Sequence, residues 1–194
     1  MDTVGRLGLE ARTPEQRRRV AEQLIAWATE PDPADADGVT PAALLAEAGE
    51  MLELLGDHAA ALDVYVRAAT ADGVVEPDVR CFMHRALVSV GDRPGARLLA
   101  EEIRRSAPAE IGAYAILGET YEKAGDLREA HRWMNLGLRR FGRDDPTDDS
   151  ADRELDLVLL AIVRRRIRRA LVLPPDAVDR VIGRALPDRK APGR

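Results

Sequence analysis

Cysteine is nearly missing from this chain: Cys81 stands alone in 194 residues. That excludes a disulfide framework and a zinc site built from cysteines. Aromatic residues make up only 4%. A strand-rich fold draws on aromatic and β-branched side chains, so their scarcity argues against an all-β protein. Lysine is almost absent too. Of 29 basic residues, Lys123 and Lys190 are the two lysines and the rest are arginine. With abundant Ala and Gly, this usage fits a GC-rich bacterial genome. No apolar run reaches the roughly 18 residues of a membrane-spanning helix. The stretch 1–19 lacks the apolar core of a secretory signal. These absences lead to the expectation of a soluble chain in a reducing cytoplasm, with Cys81 a free thiol. A formal charge of −5 argues against a protein built mainly to coat nucleic acid.

What is present is alanine, 31 residues of it, within a 45% apolar composition. A chain of this length buries a sizeable core without staples, and its balance favours packed helices. The first 40 residues divide into a tail, a helix and a linker. Thr13-Pro14-Glu15-Gln16 reads as a helix start: a hydroxyl N-cap, Pro at the first helical position and Gln three after the cap. Val20, Leu24, Trp27 and Ala28 follow at helical spacing. Pro31-Asp32-Pro33 ends that helix. Asp32 to Gly38 looks superficially like a calcium loop, but Pro33 and Leu44 stand where the EF-hand needs acids.

From residue 41 to 143 the sequence repeats itself. Leu55-Gly56-Asp57 returns as Val90-Gly91-Asp92 and as Ala124-Gly125-Asp126, with the glycines 35 and 34 residues apart. Five residues after each glycine stands an alanine: Ala61, Ala96, Ala130. Each Gly-Asp separates two amphipathic stretches, the Gly ending one helix and the Asp capping the next. The unit is helix, tight turn, helix. This period and layout resemble the tetratricopeptide repeat. The third copy matches best, with Tyr114, Leu117, Gly118 and Tyr121 on the first-helix signature and Ala130 and Met134 on the second. The first copy supplies Leu45, Ala48, Gly49, Leu52, Ala61, Tyr65 and Ala68. The second keeps Met83, Leu87, Ala96, Ala100 and Pro108, but carries Arg80 where Trp is usual and His84 where a small residue is usual.

The fold class expected is therefore all-α: an α-α superhelix, a right-handed solenoid of three tetratricopeptide-like helix pairs with flanking N- and C-terminal helices. Residues 144–186 comprise an acidic loop and two capping helices. The first of these starts near Ser150 or Ala151 and runs to about Val172, where Leu173-Pro174-Pro175 breaks it. The second spans Asp176 to Ala185, and 187–194 form a tail. The layout is also similar to small actinobacterial tetratricopeptide proteins, some with a Cys-rich zinc tail that is missing here.

The resemblance implies that the first helices line a concave groove. Its candidate residues are Glu47, Glu50, Glu53, Asp78, Cys81, Phe82, Arg85, Ile116, Glu119, Glu122 and Lys123. Six acids against two bases make an acidic groove, with an apolar floor around Phe82 and Ile116. Such a groove suits a basic peptide or a partner helix. Where some relatives grip a carboxylate tail with basic side chains, this chain has Ala46, Glu50, Phe82, Gly112 and Ile116, so that activity is not expected. The second candidate is an anion-binding block: Arg164, Arg165, Arg166, Arg168 and Arg169. It offers charge for phosphates but lacks interleaved aromatics. Leu160, Val163, Ile167, Ala170 and Leu171 form the apolar stripe of the same helix, which is also how a capping helix looks.

Cys81 and His84, three apart, make at most half of a metal site, and no second pair follows at ligand spacing. No hydrolase, phosphate-loop or zinc-protease motif is present. The function expected is a non-enzymatic adaptor that binds a basic protein or peptide, with no cofactor, no metal and no membrane partner. A regulatory protein contacting nucleic acid through the Arg block, which the net acidity disfavours, and a homo-oligomeric scaffold stay open as alternatives.

Overall fold

The computed structural model describes residues 11–29, 39–142 and 151–185. Residues 1–10 of the expected tail at 1–12, the linker with Pro31-Asp32-Pro33, the acidic loop at 144–149 and the tail at 187–194 lie outside them. Among the described residues there are nine helices and no strand: α1 (Pro14–Thr29), α2 (Pro41–Leu54), α3 (His58–Ala68), α4 (Val79–Val90), α5 (Arg93–Ser106), α6 (Ile111–Lys123), α7 (Leu127–Phe141), α8 (Ala151–Ala170) and α9 (Ala177–Ala185). The protein is all-helical.

Helix starts follow from side-chain caps. Thr13 Oγ1 accepts from the Gln16 amide at 3.2 Å, and Gln16 Oε1 accepts from the Thr13 amide at 3.0 Å. This reciprocal capping box satisfies amides that the first helical turn leaves without partners. Asp57, Asp92 and Asp126 each accept from the amide three residues on, at 3.2, 3.0 and 3.2 Å.

The three Gly-Asp turns share one bonding scheme. The Asp57, Asp92 and Asp126 amides donate to the carbonyls of Leu52, Leu87 and Tyr121, five residues back, at 3.0, 3.0 and 2.9 Å. The Gly56, Gly91 and Gly125 amides donate three residues back, at 2.9, 3.2 and 3.0 Å. This is the Schellman closure, which requires a left-handed residue at the glycine. Their φ values are 77°, 88° and 81°, and a Cβ on any of them would meet nothing within 4 Å. Glycine is needed here for its backbone freedom rather than for space. The aspartate thus closes one helix through its amide and opens the next through its carboxylate.

The chain divides into two compact units, Met1–Pro108 and Ala109–Arg194. In the first, α1 to α5 each pack on the next helix in sequence. Ala48, Ala61, Ala86 and Ala96 are buried where these helices meet, with Leu24, Leu45, Tyr65 and Ile103 filling the space beside them. Close backbone approach at small residues and interdigitation of larger ones is ordinary helix-pair packing. In the second unit α6 to α9 pack consecutively, and α8 also lies against α6. Tyr114, Leu117, Trp133, Met134, Leu160 and Ile167 form its core. Gly137 admits close contact between α7 and its neighbours: a Cβ there would stand 2.7 Å from Leu160 Cδ2 and 2.9 Å from Tyr114 Cβ. On α8 the expected stripe is buried at Leu160 and Ile167 and half-buried at Val163 and Leu171, while Ala170 is exposed.

Candidate functional site

In the first unit, α2 carries Glu47, Glu50 and Glu53 at successive helical spacings, so the three share one face. Glu47 and Glu50 are half-buried. The Glu53 side chain is only 9% exposed and is bound directly by Arg85 of α4. Tyr65 of α3 donates its hydroxyl to Glu53 Oε2 at 3.0 Å. Arg85 also approaches Glu50 Oε1 at 3.9 Å and lies over the Phe82 ring, 5.1 Å from its centroid. The other Glu53 oxygen, Oε1, is buried with no hydrogen-bond partner. Three helices therefore converge on a small charged cluster in which two carboxylates, Glu50 and Glu53, face one guanidinium.

The electrostatics follow from burial. Desolvation raises the Glu50 pKa above its ordinary value, the Arg85 charge works against that, and the Glu53 charge reinforces it. Burial also pushes the Tyr65 hydroxyl well up, aided by the adjacent Glu53 charge, so Tyr65 stays protonated as a donor. Arg85 remains a cation. Burial is the largest single influence and opposes its charge, but the hydrogen bond to Glu53, the Glu53 charge and the Tyr65 hydroxyl together outweigh it and raise its pKa.

Several residues expected in the groove lie elsewhere. Phe82, expected as an exposed apolar floor, is buried and stacked on Tyr65. Cys81 is fully buried. Asp78 caps α4 by accepting from the Arg80 amide at 2.9 Å, and it takes Arg80 Nε at 2.9 Å. Arg80, which stands where the repeat usually has Trp, reaches on to Ser106 Oγ at 3.2 Å and so ties α4 to α5. His84, at the usual small-residue place, is fully buried, and desolvation lowers its pKa to about 4.

In the second unit Ile116 and Glu119 are half-buried and Lys123 is exposed. Glu122 receives Arg166 through two bonds, Nε to Oε1 at 2.8 Å and Nη2 to Oε2 at 2.6 Å. One residue from each candidate set thus answers the other, across the α6–α8 contact.

The Arg block is not a uniform basic surface. Arg164, expected to meet an external anion, is 7% exposed and points inward. It donates to Asn135 Oδ1 at 2.6 Å, to Asp179 Oδ1 at 3.4 Å and to both oxygens of Asp176. Arg168 donates to Asp179 Oδ2 at 2.7 Å and to the Pro174 carbonyl at 2.6 Å, with His131 Nε2 at 3.3 Å. Asp176 and Asp179 also bond each other's amides, at 3.0 and 3.1 Å, as the capping box of α9. The hydrogen bond from Arg164 holds the Asp176 carboxyl well below the usual carboxylate range. Arg165, Arg168 and Arg169 turn toward α9, where they line a cleft with Arg180.

The chain matches no family model, no curated protein and no solved structure. Its chemistry rests on its own geometry. Among the described residues no group of three or more His, Cys, Asp and Glu side chains is placed to hold a metal ion. No helix among them is long and apolar enough to cross a membrane. The sequence did not reveal Tyr65 as a hydroxyl donor to Glu53, nor Asn135, His131, Asp176 and Asp179 as partners of the arginines. The Asp176-x-x-Asp179 spacing ahead of a short helix was the available signal for the last two.

Proposed function

We propose that this chain is a non-enzymatic protein-binding module whose helix pairs are tetratricopeptide-type repeats, and that it receives a basic peptide segment on the α2–α4 face of its first unit. The observation that carries this reading is the Glu47–Glu50–Glu53 face with Arg85 as its central cation. Arg85 is committed to Glu53, while Glu50 is 40% exposed, 3.9 Å from the guanidinium, and desolvated more than it is compensated. A Lys or Arg side chain arriving from a partner would supply the missing charge at Glu50. The buried, unpartnered Glu53 Oε1 points to the same shortage of donors. The three identical Gly-Asp closures support the repeat assignment.

The test is fluorescence anisotropy with two labelled peptides of equal length, one bearing alternating Arg and apolar residues and one with Glu in place of each Arg. The basic peptide is expected to bind and to weaken with salt. Glu50→Gln should reduce its affinity about fivefold, the scale of one partly exposed ion pair. Equal affinity for both peptides, or unchanged affinity in Glu50→Gln, would overturn the reading.

A further inference from the structure

What occupies the α2–α4 face before a partner arrives is a question within the first unit, and its answer rests on the reading of that face as a basic-peptide site. Glu50 and Glu53 against Arg85 leave one negative charge uncancelled. The Glu53 side chain is nine-tenths buried, and its Oε1 receives no donor. One further guanidinium would balance the cluster. Leu54, one turn beyond Glu50 on the same helix, is exposed and offers an apolar contact beside it.

The packing of α1 brings another part of the chain to this place. Arg67, near the end of α3, donates to Thr29 Oγ1 at 3.2 Å, and Thr29 is the last residue of α1. The Ala42 amide, at the start of α2, donates to the Asp72 carbonyl just past α3, at 3.1 Å. The end of α1, the end of α3 and the start of α2 therefore meet. Because α1 packs along α2, and the two are rods of roughly 24 and 21 Å, they run antiparallel. The start of α1 thus lies at the other end of α2, with Glu50, Glu53 and Leu54. Ala11 is buried, and its carbonyl accepts Arg17 Nε at 3.2 Å. The chain is held in place up to that residue.

We propose that Val4-Gly5-Arg6-Leu7-Gly8-Leu9 of the same chain is the resident occupant of the acidic face, and that a partner's basic segment must displace it. Residues 1–10, which lie outside the described residues, contain one basic side chain, Arg6, followed by Leu7 and Leu9. That is one guanidinium for one uncancelled charge, with apolar neighbours for Leu54. Gly5 and Gly8 bring no side chain between the segment and the helix. Arg6 stands five residues before Ala11, and five extended residues reach about 17 Å. A helix with its side chains is roughly 10 Å across, so Arg6 can pass round the end of α2 to Glu50.

The experiment titrates the full chain with the labelled Arg-bearing peptide at low salt, in wild type and in Arg6→Gln. The variant is expected to bind the peptide about twofold more tightly, the gain from removing a competitor that fills half of the sites. Arg18→Gln, which removes an exposed charge of α1, should leave the affinity as it is. In the free proteins, amide resonances of residues 50–54 should differ between wild type and Arg6→Gln, to the same extent at every protein concentration. Thermal melts confirm that both variants are folded. Equal peptide affinity in wild type and Arg6→Gln, or an equal gain in Arg18→Gln, overturns the resident segment and leaves the basic-peptide reading standing. Peptide that binds none of the three proteins overturns that reading, and this inference with it. Resonance differences that grow with concentration assign the occupant to a second copy and overturn the contact within one chain.

Discussion

The Phe82 ring stacks on the Tyr65 ring with centroids 5.6 Å apart and planes 25° from parallel. This contact joins α3 to α4 and lies beneath the Arg85 guanidinium. Phe82 is therefore a packing residue under the acidic face. Phe82→Ala should lower stability by about 3 kcal/mol, the lower end for removing a buried aromatic side chain. Chemical denaturation measures this directly. Wild-type stability in the variant would return Phe82 to the role of a partner-facing side chain.

Arg164 and Arg166 are two residues apart and have opposite surroundings. Arg164 is buried among Asp176, Asp179 and Asn135, and its loss removes its bonds to all three and leaves the buried Asp179 with Arg168 alone. Arg164→Ala should cost about 3 kcal/mol or more. The Arg166 side chain is 61% exposed against Glu122, and Arg166→Ala should cost about 1 kcal/mol or less. Equal losses in the two denaturation curves would contradict the placement of Arg164.

Two single changes in left-handed residues should move stability in opposite directions. Gly91 has φ 88°, so Gly91→Ala should cost about 1 kcal/mol through the backbone alone. The end of α8 uses the same closure, with the Leu173 amide on the Arg168 carbonyl at 2.9 Å and that of Val172 on Arg169 at 3.0 Å. Here the left-handed residue is Val172, with φ 56° and 89% exposed. Val172→Gly should raise stability by about 1 kcal/mol, because a β-branched residue is strained there. A loss in this variant would contradict the account.

Buried His84 gives stability a defined pH dependence. Its pKa falls from 6.5 to about 4 on folding, through desolvation. Above pH 6.5 both states hold it neutral. Between the two values the unfolded chain takes up a proton that the folded chain refuses, so stability falls as pH drops through that window and this contribution levels off near pH 4. The loss should be on the order of 3 kcal/mol. His84→Ala should flatten this slope in urea titrations across the window. An unaltered slope would assign the dependence to other groups.

The Gly-Asp turns and the Thr13–Gln16 start were legible because their bonds run between residues at most five apart. Local spacing carries that information in full. The direction of Phe82 was not legible, because it depends on Tyr65 arriving from another helix. Similarly, the arginines of α8 form a plain basic block in sequence. Their acceptors, Asp176, Asp179 and Glu122, lie on or beside other helices. The Glu47–Glu50–Glu53 face was visible as a period, but the insertion of Arg85 into it was not.

The central claim is that this acidic face receives a basic segment. Backbone amide shifts recorded during titration with an Arg-bearing peptide test it most directly. The account predicts that the shifted resonances concentrate in residues 47–54 and 82–89, and that Glu50→Gln diminishes them. Shifts confined to other helices, or none at saturating peptide, would contradict it.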